Sequence, residues 1–220
     1  MKWHDLRIKC RRQSDYIITL FVTNEVALLI TWILMKTKVT PNQVTAASLL
    51  CGVICGLSYL SGWFIIGSFF LFMSHVFDCT DGNLARAKEM FSPFGRWIDL
   101  VGDKSADAFI FLCVSLYFYQ NNESNTWIIL TLVDALLLLL YYYIVDIALS
   151  LGISKKKQKI TSFKFKGVHV KWGLLEPVIY GFVILAPIGL LKLHLILLLL
   201  LITAGFIYQF YKNVKQCRRS

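Results

Sequence analysis

Asp78-Cys79-Thr80-Asp81-Gly82-Asn83-Leu84-Ala85-Arg86, running on to Gly95, Asp99 and Asp103, is the stretch around which the chain is organised. Five of the 13 Asp and Glu in 220 residues fall between positions 78 and 103, four of them aspartates. Asp78 and Asp81 are three residues apart and Asp99 and Asp103 four apart, so on helices each pair projects from one side. Two such helices face to face bring four carboxylates to one point, where they repel by several kcal/mol at intermediate dielectric. Divalent cations relieve that repulsion, and hard oxygen ligands of this kind select magnesium, manganese or calcium. Gly82 and Ala85 leave the helix backbone open to a bulky ligand, and Arg86 offers a fork suited to phosphate or carboxylate.

The surrounding composition is that of a membrane protein. Hydrophobic residues make up 57% of the chain and charged residues 16%, with a mean hydropathy of +0.62. That is too apolar for an ordinary soluble domain. The net charge of +10 sits beside apolar runs, so anionic lipid headgroups are the expected partners and nucleic acid is not. The six cysteines include no C-x-x-C pair, which argues against zinc and against a disulfide framework. Cys51 and Cys55 read as small hydrophobes in an apolar run. The basic N-terminus lacks a short apolar core with a small-residue cleavage site, and no cleaved signal peptide is expected.

Taken in order, the chain reads as an all-α polytopic membrane protein with six transmembrane helices and an N-terminal interfacial amphipathic helix. Residues 1–38 form the juxtamembrane element: the uncharged run Val26 to Met35 is about half of the ~20 residues that a span needs. The alternative is that residues 14–37 insert as a first span. Residues 39–214 form the transmembrane catalytic domain, with spans at 41–60, 64–86, 95–119, 126–150, 173–190 and 193–211, and residues 215–220 are a basic cytoplasmic tail. Residues 151–172 are a basic loop. Segments 1–40, 86–104, 151–172 and 212–220 hold 7, 4, 7 and 4 of the 23 Lys and Arg, leaving Lys192 alone opposite them. The positive-inside rule then puts those segments and the aspartates on the cytoplasmic side, and favours six spans over seven.

At its fixed positions the aspartate stretch matches D-x2-D-G-x2-A-R-x8-G-x3-D-x3-D through Asp78, Asp81, Gly82, Ala85, Arg86, Gly95, Asp99 and Asp103. It resembles the CDP-alcohol phosphatidyltransferases, integral membrane enzymes of phospholipid synthesis. The resemblance implies transfer of a phosphatidyl group from a CDP-linked lipid or alcohol donor to an acceptor hydroxyl, with release of CMP. It implies two divalent cations, Mg2+ or Mn2+, held by Asp78, Asp81 and Asp99, with Asp103 as general base and sharing in the metal. Gly82 and Ala85 would admit the cytidine, and Arg86 would lie near the donor phosphates or lock the aspartates. The family further implies a homodimer. Pro41-Asn42-x-x-Thr45 looks like the opening of the family's first helix, which puts Asn42 and Thr45 near the nucleotide; simple helix capping is the other reading. The basic N-terminal segment running into Thr40-Pro41-Asn42-Gln43-Val44-Thr45 looks most like the branch using inositol phosphate-type acceptors, although Asn83 stands where that branch often has an acidic residue. Glycerol phosphate, serine and other polyols are the other acceptors the sequence admits.

Other polar residues have two readings each. Asp107 extends the face of Asp103, as a further ligand or as a hydrogen-bond acceptor behind it. His75 is a metal neighbour or a hydrogen-bonded core residue. Asp134 and Asp146 interrupt apolar spans and are expected to make interhelical hydrogen bonds, whereas Glu176 is either structural or part of an acceptor site. Lys155, Lys156, Lys157, Lys159, Lys164, Lys166 and Lys171 meet anionic lipid or an acceptor phosphate. Asn122-Glu123-Ser124 is a glycosylation sequon on too short an outer loop to be used. Two rival functions are an intramembrane cation transporter, which leaves Gly82 and Arg86 without a role, and a non-catalytic scaffold, which leaves the four aspartates without one.

Overall fold

A computed structural model describes residues 3–10, 14–152, 164–165, 168–171 and 174–217. Helices dominate: α1 (Trp3–Lys9), α2 (Asn24–Leu34), α3 (Pro41–Leu60), α4 (Phe64–Lys88), α5 (Pro93–Gln120), α6 (Asn125–Ser150), α7 (Leu175–Leu185) and α8 (Leu191–Cys217). A π-helical turn, Thr19–Thr23, leads into α2. Three short strands, β1 (Ser14–Tyr16), β2 (Lys164–Phe165) and β3 (Val168–Lys171), pair in the order β1-β3-β2, β1 parallel and β2 antiparallel to β3. The side chains of the 155–159 lysine run lie outside the described residues.

Local chemistry sets the helix ends. Thr40 and Gln43 form a reciprocal capping box at α3, with Pro41 in the first turn where its missing N–H is not needed. Ser92 accepts from the Gly95 N–H at 2.9 Å, and Pro93 opens α5. Glu89 ends α4 in the left-handed conformation, φ 59°, and the Met90 N–H returns to the Ala85 carbonyl at 3.0 Å.

Among the described residues four helices, α3, α4, α6 and α8, are long and apolar enough to cross a membrane, which fits an integral membrane protein. The 28-residue α5 has comparable length, but its first half carries Arg96, Asp99, Asp103, Lys104 and Asp107. α7 has only 11 residues, shorter than the span expected at 173–190, because Pro187 and Gly189 (φ 81°) turn the chain after Leu185. α8 in turn continues to Cys217, past the boundary expected at 214. The single helix expected over residues 1–38 is four pieces instead: α1, β1, the π turn and α2. The break falls where Thr19, Thr23 and Asn24 turn toward α4 and α7 rather than toward lipid. At 11 residues α2 is about 16 Å long, against ~30 Å of hydrocarbon.

Between apolar helices in lipid there is little hydrophobic drive, so close packing and hydrogen bonds hold the bundle. Gly67 on α4 admits the Tyr59 ring, where a Cβ would lie 2.5 Å from it. The Tyr59 and Ser68 hydroxyls both reach the Phe182 carbonyl, at 3.3 and 3.1 Å. Ser48 and Ser74 exchange hydrogen bonds with each other's carbonyls at 2.8 and 2.9 Å, joining α3 to α4. Around them Phe111, Phe118, Leu138, Leu195, Leu198 and Ile202 form the core. At the end opposite the aspartates, Lys192 contacts both Glu123 carboxylate oxygens at 2.8 Å and lies over the Trp127 ring. At the aspartate end, α1 buries Leu6 against Leu28 and Ala87 and binds Glu89 through Lys9 at 2.6 Å. That hydrogen bond and charge hold the exposed Glu89 carboxyl below its usual range.

Asp134 departs from expectation. Asp146 does join α5 to α6 by pairing with Lys104. Asp134 is fully buried on α6, and neither carboxylate oxygen has a hydrogen-bond partner among the described residues. An unsatisfied buried group costs about 1–3 kcal/mol. Asp134→Leu is therefore expected to raise the thermal midpoint of the protein in detergent, and a lower midpoint would show that this carboxylate has a stabilising role.

Candidate metal and nucleotide site

The site forms where α4 and α5 meet at the α1 end of the bundle, with α3 alongside. Carboxylate oxygens of Asp78, Asp99 and Asp103 all lie within 4.8 Å of one another. Three carboxylates at that separation are a hard oxygen set of the type that holds Mg2+ or Mn2+, so the residues present fit a divalent cation. Asp81 is turned away from this trio: its carboxylate is buried and accepts from the Thr45 hydroxyl at 2.5 Å. Helix geometry accounts for the split, since residues three apart diverge by about 60° around the axis.

The trio sits between two cavities. The larger, about 490 Å3, is lined by Asp81, Gly82, Ala85, Arg86 and Asp99 together with Pro41, Asn42, Thr45 and Gly95. All seven candidate ligand-binding and metal residues other than Asp78 and Asp103 therefore share one chamber. The smaller, about 170 Å3, is lined by Asp78 and Asp103 with Ser48, Ser74, His75, Lys104, Asp107 and Tyr142. Asp78 and Asp103 thus face one chamber and Asp81 and Asp99 the other. Gly95 of the signature faces Asn42: a Cβ there would lie 2.6 Å from the Asn42 Oδ1, so glycine lets α3 and α5 close over the chamber.

The surrounding polar residues separate into roles. Arg86 donates to the Asn83 Oδ1 at 2.7 Å, and Asn83 donates to the Asn24 Oδ1 at 3.2 Å. Asp107 accepts from the Tyr142 hydroxyl at 2.9 Å, which makes it a contact between α5 and α6. Glu176 accepts from the Thr19 N–H at 2.9 Å. His75 is buried, 3.2 Å from the Thr19 hydroxyl and 3.8 Å from an Asp78 oxygen, so it is both hydrogen-bonded and a neighbour of the cluster. Sequence reasoning missed Thr19, Asn24, Ser48, Ser74 and Tyr142. The one available signal was the run of polar residues Thr19, Thr23 and Asn24 interrupting an otherwise apolar segment.

Comparison with known proteins gives a consistent result. The model of the CDP-alcohol phosphatidyltransferase family matches residues 38–209. A phosphatidylinositol phosphate synthase of Cutibacterium acnes is 33% identical over 95 residues, covering 43% of this chain and 46% of that protein. A bifunctional IPC transferase and DIPP synthase of Thermococcus kodakarensis is 36% identical over 74 residues, covering 34% of this chain and 17% of that one. The chain thus spans less than half the length of these curated relatives. The crystal structure of Mycobacterium tuberculosis phosphatidylinositol phosphate synthase with CDP-DAG bound aligns with a TM-score of 0.67 at 19% identity, over 87% of this chain and 93% of that one. The same enzyme in complex with manganese and citrate also gives 0.67 at 19% identity, over 87% and 88%. At that identity the likeness establishes the fold.

Proposed function

This chain belongs to the CDP-alcohol phosphatidyltransferase family, and on that premise we propose that it transfers a phosphatidyl group from a CDP-linked lipid to an acceptor hydroxyl, releasing CMP. The observation that carries the proposal is the convergence of Asp78, Asp99 and Asp103 beside a chamber walled by Gly82, Ala85 and Arg86. Asp78, Asp81 and Asp99 would hold Mg2+ or Mn2+, two ions by family resemblance, and Asp103 would share in the metal while serving chiefly as the base. The bound ions supply charge neutralisation at the donor pyrophosphate and at the phosphorus undergoing transfer.

The chain's own residues do the rest. Gly82 and Ala85 leave room for the cytidine, and Asn42 closes the chamber from α3. Thr45 fixes the Asp81 carboxylate by donating to it. Arg86 is held by Asn83 and lines the chamber, where its guanidinium would meet a phosphate oxygen. Asp103, on the smaller chamber, takes the proton from the acceptor hydroxyl as its oxygen attacks the phosphorus bearing the lipid. The bond from that phosphorus to the CMP oxygen breaks, and CMP leaves. We propose a phosphorylated polyol acceptor of the inositol phosphate class, supported by the name of the C. acnes relative and by the lysine-rich loop; glycerol phosphate is the second candidate. Purified protein supplied with radiolabelled CDP-diacylglycerol, Mn2+ and each acceptor in turn tests this: inositol phosphate should yield the labelled lipid, and product only with an unphosphorylated alcohol would overturn the choice.

We further propose six spans, five of them α3, α4, α5, α6 and α8 and the other α7 extended by the turn that carries the chain on to Leu190, with residues 39–214 as the catalytic membrane domain, residues 1–38 at the interface and 215–220 as a cytoplasmic tail. The cytoplasmic side would hold the aspartates. Pairing of Lys192 with Glu123 neutralises the one cation on the opposite side and so supports this orientation. In intact cells, a membrane-impermeant maleimide should label Asn122→Cys from outside and leave Lys157→Cys and the native exposed Cys217 unlabelled. Labelling at residue 157 would reverse the orientation. Family membership also supports a homodimer, which sedimentation in detergent tests by mass.

A further inference from the structure

Upstream of the family match at 38–209 lies the π-helical turn Thr19–Thr23, which sequence periodicity gives no reason to expect. In an α-helix residues three or four apart stack on one face. Here the Asn24 N–H donates to the Thr19 carbonyl, a five-residue closure, so Thr19 and Asn24 stack instead. Each starts a chain of side chains that ends at the site. Thr19, 1% exposed, meets the His75 Nε2 at 3.2 Å, and the His75 Nδ1 lies 3.8 Å from Asp78. Asn24 accepts from Asn83, which accepts from Arg86. The turn is itself anchored to α7 at both ends, by Glu176 on the Thr19 N–H and by Tyr180 against the Thr23 hydroxyl.

We propose that this amino-terminal turn positions the site, through Thr19 and His75 at the metal-ligand candidate Asp78 and through Asn24 and Asn83 at Arg86. The inference rests on the phosphatidyltransferase reading. The chemistry gives each chain a direction. The Asp78 carboxylate 3.8 Å from Nδ1 favours the imidazole proton on that nitrogen, which leaves Nε2 to accept the Thr19 O–H and sets the ring behind the ligand. The Asn24 oxygen takes the Asn83 amide N–H, which leaves the Asn83 oxygen for Arg86 and forbids the flipped amide. Thr19, His75, Asn24 and Asn83 are positioning residues, and the two chains act on different ligands: the first on metal, the second on the donor's phosphates.

That division is the test, made on the full chain in lipid nanodiscs. Mn2+ binding is followed by electron paramagnetic resonance and CDP binding by calorimetry at saturating Mn2+. Thr19→Val, which removes only the hydroxyl's chemistry, should weaken Mn2+ binding by about 10-fold and leave CDP affinity unchanged, and Thr19→Ser should restore it. His75→Gln, which breaks the same chain at its centre, carries the same expectation as a second variant. Asn24→Leu should weaken CDP binding by about fivefold and leave Mn2+ affinity unchanged, and Asn24→Asp, which keeps an accepting oxygen, should restore it. Equal losses of both ligands in both variants, or a lowered melting temperature with unchanged affinities, would overturn the proposal. A wild-type chain that neither binds CDP nor releases CMP would instead overturn the phosphatidyltransferase reading on which it rests.

Discussion

Asp99→Asn is expected to abolish CMP release, with Asp78→Asn doing the same. Each side chain contributes one of the three carboxylates whose oxygens lie within 4.8 Å of one another. An asparagine keeps the shape but offers a neutral oxygen, so the set loses a full negative charge as well as a strong ligand. Loss of an outer hydrogen-bond partner typically costs 10–100-fold in metal affinity. Loss of a carboxylate in direct contact should cost more, about 10²-fold or beyond, and turnover should fall with it. Raising Mn2+ should recover little, because an ion bound without that carboxylate would no longer be placed for the donor pyrophosphate. Wild-type turnover in either variant at saturating Mn2+ would remove that carboxylate from the metal set.

Asp103→Asn is expected to give a different pattern. Asp103 shares the trio and lines the smaller chamber with Asp78, Ser48, Ser74, Lys104 and Tyr142, away from the larger chamber that Asp99 faces. One helical turn separates it from Asp99, about 6 Å along the axis. Next to Lys104 on that chamber, it is the carboxylate proposed to meet the acceptor hydroxyl, the role the family resemblance implies. Losing a general base costs about 10²–10⁴-fold in rate. Turnover should fall by at least about 10²-fold, while calorimetric affinities for Mn2+ and CDP stay within a few-fold of wild type. If metal affinity collapses together with turnover, Asp103 is chiefly a ligand and the proton goes elsewhere.

What the sequence made legible was local. Pro41 marks a helix start that the structure repeats, because proline acts within one turn, whereas the helix expected from residue 95 begins at Pro93 with Ser92 as its cap. The signature brought Asp78, Asp99 and Asp103 together because spacing along two helices fixes which faces meet. It did not show how Asp81 is placed: the residual rotation between positions three apart matters at the scale of one carboxylate, and Thr45 on α3 donates to it. What stayed hidden depends on contacts between distant parts of the chain. Thr19 and Glu176 meet across 157 residues, and the π turn that presents Thr19 has no periodic signal of its own. The pairing of β1 with β3 is likewise set by neighbours rather than by propensity.

CMP release from CDP-diacylglycerol by the purified protein, measured with inositol phosphate present, in Mn2+ and after chelation, tests the central claim most directly. The account predicts acceptor-dependent CMP release in Mn2+ that vanishes on chelation and returns when Mn2+ is restored. Release that continues unchanged under chelation, or no release with any acceptor in Mn2+, would contradict it.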